Sequence, residues 1–209
     1  FDVGAHLGNR IRVWREIGIR VIAVEPNPAC HHFMTSVYGG DDGVVLIPAA
    51  SGAASGQGSL YVDPRNPTLA TVSSPWIREM EKREAFADVR WERTYSVRMI
   101  TLDELIRTYG TPRFIKIDTE GFDHRVLEGL TTPVESLSFE YLPTSPQVAE
   151  EALLQVENLG DYDFNVSRRE TMRFQWNEWR RGEDIRIFLE SLAENDSAGD
   201  IYARRRNPR

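Results

Sequence analysis

The sequence is poorest in cysteine: Cys30 is the only one in 209 residues. No disulfide can close within one chain, and no zinc or iron–sulfur site can be built from several thiolates. Lysine is nearly absent too, with Lys82 and Lys116 alone among 25 basic residues, a bias that fits a GC-rich gene. No apolar run approaches the roughly 18 residues of a membrane span, and no basic-then-apolar leader is present, so a soluble, cytoplasmic protein without a membrane partner is expected. Acidic residues outnumber basic ones, 32 to 25, for a net charge of −7. That field repels phosphate backbones and argues against nucleic acid as a partner. Repeats, low-complexity tracts and linkers are also missing.

What is present reads as one domain over 1–209, given a typical domain of about 100–200 residues. Short apolar runs at Phe1–Val3, Val21–Val24, Val44–Ile47, Phe114–Ile117 and Leu137–Phe139 are too short for buried helices and alternate with helical stretches. The spacing predicts helices at about Arg10–Ile17, Ala29–Val37, Leu102–Tyr109 and His124–Leu130. This alternation is the mark of a parallel sheet with crossover helices. Ser145 as cap, Pro146 at the first turn and Gly160 beyond the last delimit a further helix, with Ala149, Ala152, Leu153 and Val156 on one face. A strand at Tyr162–Val166, a helical stripe at Ile185, Phe188, Leu189 and Leu192, and a short strand at Ile201–Ala203 follow, with an antiparallel edge strand expected this late. Prolines at 64, 67 and 75 make 63–96 an insertion or cap over the sheet edge. The first strand candidate begins at Phe1, only three residues before Gly4, without an initiator methionine. It reads as a strand cut in its middle, with more of the natural protein expected upstream.

Asp2-Val3-Gly4-Ala5-His6-Leu7-Gly8-Asn9 forms the first strand-to-helix turn. Gly4 and Gly8 allow a sharp turn and close approach of a ligand. The spacing departs from the G-x-G-x-x-G that seats a pyrophosphate, and Asp2 beside the loop suits a cationic group better than a diphosphate. The second strand ends at Glu25, where a carboxylate can accept from both hydroxyls of a ribose, followed by Pro26 and by Asn27, free to cap the next helix or touch a base. Loop and acid together point to a nucleoside ligand. The fourth strand leads into Asp118-Thr119-Glu120-Gly121-Phe122-Asp123, three carboxylates in six residues. Asp118 stands at a strand tip, where open α/β sheets place their sites, whereas Asp123 reads as first-turn helix enrichment.

These blocks, with Ile100-Thr101-Leu102-Asp103-Glu104-Leu105, Ala49-Ala50-Ser51-Gly52 and Leu60-Tyr61-Val62, resemble in order and spacing the FkbM-type methyltransferases, from Phe1 to about Leu142. The one departure is His6, where the family has asparagine. The resemblance implies a Rossmann-like class I methyltransferase fold, α/β with a mostly parallel doubly wound sheet, and S-adenosylmethionine as donor. It implies Asp2, Gly4, Ala5, His6, Gly8, Glu25, Pro26, Asn27, Ala50, Ser51 and Asp118 as donor-binding residues, with Ala49, Ala50 or Ser51 against the adenine. The acceptor is expected to be a hydroxyl of a small molecule, sugar, glycan or natural product. Such an acceptor must lose a proton, and Asp118, Glu140, Glu120 and His124 are the candidate bases, Asp118 and Glu140 foremost. A carboxylate cluster of this kind could instead bind Mg²⁺ and polarise the acceptor. Trp76, Trp91, Tyr95, Trp176 and Trp179 are either acceptor-pocket walls or core. Arg204, Arg205, Arg206 and Arg209 read as a solvated basic tail. The competing readings are a non-catalytic nucleoside-binding module and an NAD-dependent oxidoreductase, the latter disfavoured by the missing dinucleotide loop.

Overall fold

The computed structural model describes residues 1–169, 171 and 173–206. Its sheet joins seven strands: β1 (Asp2–Val3), β2 (Val21–Val24), β3 (Val44–Ile47), β7 (Phe114–Ile117), β8 (Ser136–Tyr141), β9 (Tyr162–Arg168) and β10 (Gly199–Arg205). Their order is β3-β2-β1-β7-β8-β10-β9, parallel except for β10, which runs antiparallel to both neighbours. The expected antiparallel strand is thus present, but one position in from the edge. Ile201 and Ala203 explain that place, since both are buried and only a covered strand suits them.

Successive residues of a strand face opposite sides, and β2 shows the consequence. Ile22 and Val24 join the large core, whereas Val21 and Ala23 pack with Ile11 and Met34 on the other side. Those two residues belong to α1 (Asn9–Glu16) and α2 (Pro28–Tyr38). The large core is closed by α4 (Leu102–Tyr109), α5 (Asp123–Glu128), α6 (Pro146–Leu159) and α7 (Gly182–Glu190). Helix α6 buries the four predicted residues completely. Ser145 stands at its cap position but its hydroxyl makes no capping hydrogen bond. The hydroxyl is buried without a partner, so here proline and backbone, not the serine side chain, begin the helix.

The stretch from 50 to 100 is more regular than its prolines suggest. β5 (Gly56–Val62) and β6 (Arg93–Ile100) form an antiparallel ribbon, and β4 (Ala50–Ser51) joins β6 in parallel to make a second, three-stranded sheet. Between β5 and β6 lies α3 (Ser74–Met80), which Ser73 caps through Trp76 N. Trp76, Phe86 and Trp91 pack edge-to-face or stacked with Ile77 and Met80. Tyr95 packs in the ribbon, Trp176 against Phe188, and Trp179 under Arg204. None of these five aromatics lines the cavity at the carboxyl ends of the strands. Arg204 and Arg205 end β10, Arg206 lies near Asp161 and Asp163, and Arg209 falls outside the described residues. Among the described residues no helix is long and apolar enough to cross a membrane.

Leu153 is fully buried on α6 while its neighbour Leu154 is 49% exposed. Leu153→Ala is expected to cost about 2–5 kcal/mol and Leu154→Ala less than about 0.5 kcal/mol, as read from urea unfolding midpoints.

Candidate active site

The carboxyl ends of β1, β2 and β7 meet where the strand order reverses, the usual ligand position in an open α/β sheet. A cavity of about 640 Å³ opens there. The β1–α1 loop forms one wall. Gly4 adopts φ +83°, and a Cβ at that position would lie 1.8 Å from the Asp118 carbonyl oxygen, so only glycine permits the loop to touch β7. His6 follows at φ +49°, a left-handed conformation that asparagine reaches more readily than histidine. Its imidazole lines the cavity with Nε2 buried and unpartnered, and burial lowers its pKa. Gly8, at φ +76°, caps α1 and packs against Tyr38, whose hydroxyl donates to the Gly8 carbonyl at 3.0 Å.

Glu25 is buried, and its two oxygens accept one backbone N–H each, from His6 and from Asn27, both at 2.8 Å. A carboxylate offers about four acceptor positions, so each oxygen keeps one for a ligand. Burial raises its pKa to about 7, despite those two hydrogen bonds. Asn27 is turned to α2, where its Oδ1 accepts from Ala29 N; of the two roles foreseen, it takes the cap. Pro26, Ala49, Ala50 and Ser51 continue the wall. Asp2 is buried with Oδ2 unpartnered, and burial lifts its pKa to about 6 against the pull of Lys116.

Opposite the loop stands the end of β7. Asp118 lines the cavity with its side chain one-third exposed, 3.1 Å from the Lys116 ammonium. Glu120 also lines it, at φ +50°. A left-handed non-glycine residue is costly and persists only where the surroundings fix it. Here Thr71 donates its hydroxyl to the Glu120 carbonyl at 2.7 Å, and the Trp76 indole lies against Gly121 where a Cβ would be 2.3 Å from it. Pro67, Thr68, Ala70, Thr71 and Val72, all from the 63–96 segment, complete the lining. Asp123 is buried and ties the turn together: it accepts from the Thr119 amide and hydroxyl and from the Glu140 amide.

Oxygens of Asp118, Glu120 and Glu140 lie within 4.8 Å of one another. Burial, then the neighbouring carboxylates, raise the pKa of Glu120 and Glu140 well above the ordinary range. Such a cluster relieves its repulsion by holding a proton or a divalent cation. Glu140 and His124 are outside the cavity lining; His124 Nε2 is 3.4 Å from Glu151 of α6. Sequence reasoning missed Arg10, Trp14, Thr68 and Thr71 in the lining, and the ion pairs of Lys116 beneath it. A lone charge inside Phe-Ile-Lys-Ile was a usable signal, because a buried ammonium requires carboxylate partners.

The sheet order and the loop at its switch point define a Rossmann-like fold of the methyltransferase kind. A model described as the methyltransferase FkbM domain matches residues 2–192, and the chain belongs to that family. It is 27% identical over 141 residues to the hexuronic acid methyltransferase AglP of Haloferax volcanii, covering 66% of this chain and 52% of that protein. The crystal structure of methyltransferase FkbM from Methylobacillus flagellatus shares the fold with a TM-score of 0.55 at 13% identity, over 97% of this chain and 42% of that one. The chain thus spans about half the length of these relatives.

Asp2 and Glu25 bind protons more tightly folded than unfolded, their pKa values rising from 3.8 to about 6 and from 4.5 to about 7. Their contribution to stability is therefore full below the unfolded values and lost as pH rises through the folded ones. These two groups are expected to lower the melting temperature of the ligand-free protein progressively from about pH 4 to about pH 7. Glu25→Gln should flatten that dependence, measured by thermal unfolding at constant ionic strength.

Proposed function

We propose that this chain transfers a methyl group from S-adenosylmethionine to a hydroxyl of a small molecule, sugar or glycan. The observation that carries the reading is a pair of buried carboxylates with spare acceptor capacity on one cavity: Asp2, with an unpartnered oxygen, and Glu25, each of whose oxygens holds only one backbone N–H. Leaving such groups unpaired is costly, and a ligand bearing an ammonium and two ribose hydroxyls would pair them. Gly4, Ala5 and His6 would lie along that ligand, and Pro26, Ala49, Ala50 and Ser51 would flank its base. The donor supplies a sulfonium-bound methyl group, which leaves its bonding electron pair on sulfur.

The chain's own contribution is orientation and proton removal. Asp118 is the cavity-lining carboxylate that accepts from the Lys116 ammonium at 3.1 Å, and it is assigned to take the acceptor's proton. Glu120 shares the acceptor end, and with Glu140 it carries the proton that three close carboxylates retain. His124, paired toward Glu151, has no part in this assignment. The match to a hexuronic acid methyltransferase supports a sugar-type acceptor.

Calorimetric titration is expected to show binding of S-adenosylmethionine and none of NAD; the reverse would revive an oxidoreductase. Labelled-methyl transfer should then occur to a member of a panel of hexuronic acids and other glycans, and donor binding without transfer across it would favour a binding module. Asp118→Asn should lower kcat by about 10²–10⁴-fold with donor affinity within about threefold. Turnover that survives EDTA assigns the carboxylate cluster to a proton, whereas loss restored by Mg²⁺ assigns it to a cation.

A further inference from the structure

Asp200 belongs to no motif in the sequence and lies beyond the family match, which ends at residue 192. It is nevertheless buried beside the site at 7% exposure. Its Oδ1 accepts from the Lys116 ammonium at 2.7 Å, the shortest of that group's three contacts; the others are Asp118 Oδ2 at 3.1 Å and the Ile117 carbonyl at 3.4 Å. All three donors of the ammonium are thereby engaged. Asp200 Oδ2 also lies 3.9 Å from Arg10, a cavity-lining residue of α1.

Register explains the meeting. Asp2 pairs with Lys116, Lys116 with Ser138, and Ser138 with Tyr202, so these four share one face of the sheet. Asp200 is two residues from Tyr202 and projects to that same face. The antiparallel course of β10 is what brings its first residues to the carboxyl ends of β7 and β8. Burial alone would pull the lysine toward neutrality, but Asp118 and Asp200 together more than offset it and keep it charged.

We propose that Asp200 is a positioning residue for the methyl transfer: by taking the shortest hydrogen bond of Lys116, it holds the ammonium back from Asp118 and leaves the Asp118 carboxylate directed into the cavity. This rests on the assignment of Asp118 as the base. Without the charge of Asp200 the ammonium moves onto Asp118, which is drawn inward, away from the cavity.

The test uses the full chain and the variants Asp200→Asn, Asp200→Glu, Asp118→Asn and the double variant Asp118→Asn/Asp200→Asn. Asp200→Asn keeps an oxygen for Lys116 but removes the charge. Its kcat is expected to fall about 10- to 100-fold, a share of the roughly 10²–10⁴ that a positioned base supplies. The calorimetric donor Kd and the acceptor KM should stay within about threefold. Asp200→Glu should recover part of kcat, and in the Asp118→Asn background Asp200→Asn should have no further effect, since one residue acts through the other. A wild-type kcat in Asp200→Asn, a joint loss of donor affinity and turnover, or full additivity in the double variant would each overturn the proposal. A wild-type protein that transfers no methyl, or an active Asp118→Asn, fails the underlying reading instead and takes this one with it. If melting of the ligand-free protein shows Asp200→Asn unfolded, Asp200→Glu decides: reduced kcat at unchanged donor Kd supports the role, and unchanged kcat overturns it.

Discussion

A buried ammonium shared between two strands organises this molecule's carboxyl edge. Lys116 sits in the middle strand, two residues before the loop that carries Asp118 and Glu120 into the cavity, and its side chain is 2% exposed. An ion so placed is tolerated only with opposite charge at hydrogen-bond distance, and losing one partner is far more damaging than the pair is stabilising. Asp118 and Asp200 provide that charge from β7 and β10. The requirement therefore adds a polar tie to the apolar residues that hold β10 in its antiparallel slot.

The second constraint is the docking of the 63–96 segment on the loop after β7. Asp63 is buried and accepts from the backbone of Arg65 and Arg90 and from the Asn66 side chain, which folds the segment's two ends together. Its other side reaches the loop after β7 through Thr71 and Trp76, one hydrogen bond and one ring contact. Those contacts stabilise the left-handed backbone at Glu120 and Gly121. Cavity wall and strained loop thus come from one packing arrangement, so a change in this segment alters the cavity around Glu120 without touching the carboxylates themselves.

Much of the sheet was legible because parallel strands are buried on both faces and read as bare apolar runs; Val21–Val24 and Phe114–Ile117 appear with their expected boundaries. The ribbon was not legible, although Tyr95, Val97 and Met99 alternate as half-buried strands do, because the exposed Arg93, Thr94, Ser96 and Arg98 leave no continuous apolar run. The tryptophans were large enough to serve a pocket or a core, and composition does not separate those uses. Gly4, His6, Glu25 and Asp118 were legible from local spacing, since each stands at a strand end. Thr71 and Asp200 were not, since they reach the site through pairings 49 and 84 residues long that no local pattern records.

The same burial that raises the pKa of Asp2 and Glu25 gives the cavity its selectivity under the proposed reading. Each carboxylate is half-ready to hold a proton near neutral pH, and a ligand must displace that proton or share it. A cationic group beside Asp2 favours the ionised form by direct attraction, and hydroxyls donating to Glu25 favour it by hydrogen bonding. An anionic diphosphate offers neither and meets two carboxylates instead, in a loop whose glycine spacing does not build a phosphate seat. The electrostatic ground for preferring a sulfonium nucleoside over a dinucleotide is therefore this pair of buried carboxylates itself, while the buried ammonium of Lys116 donates to Asp118 and Asp200.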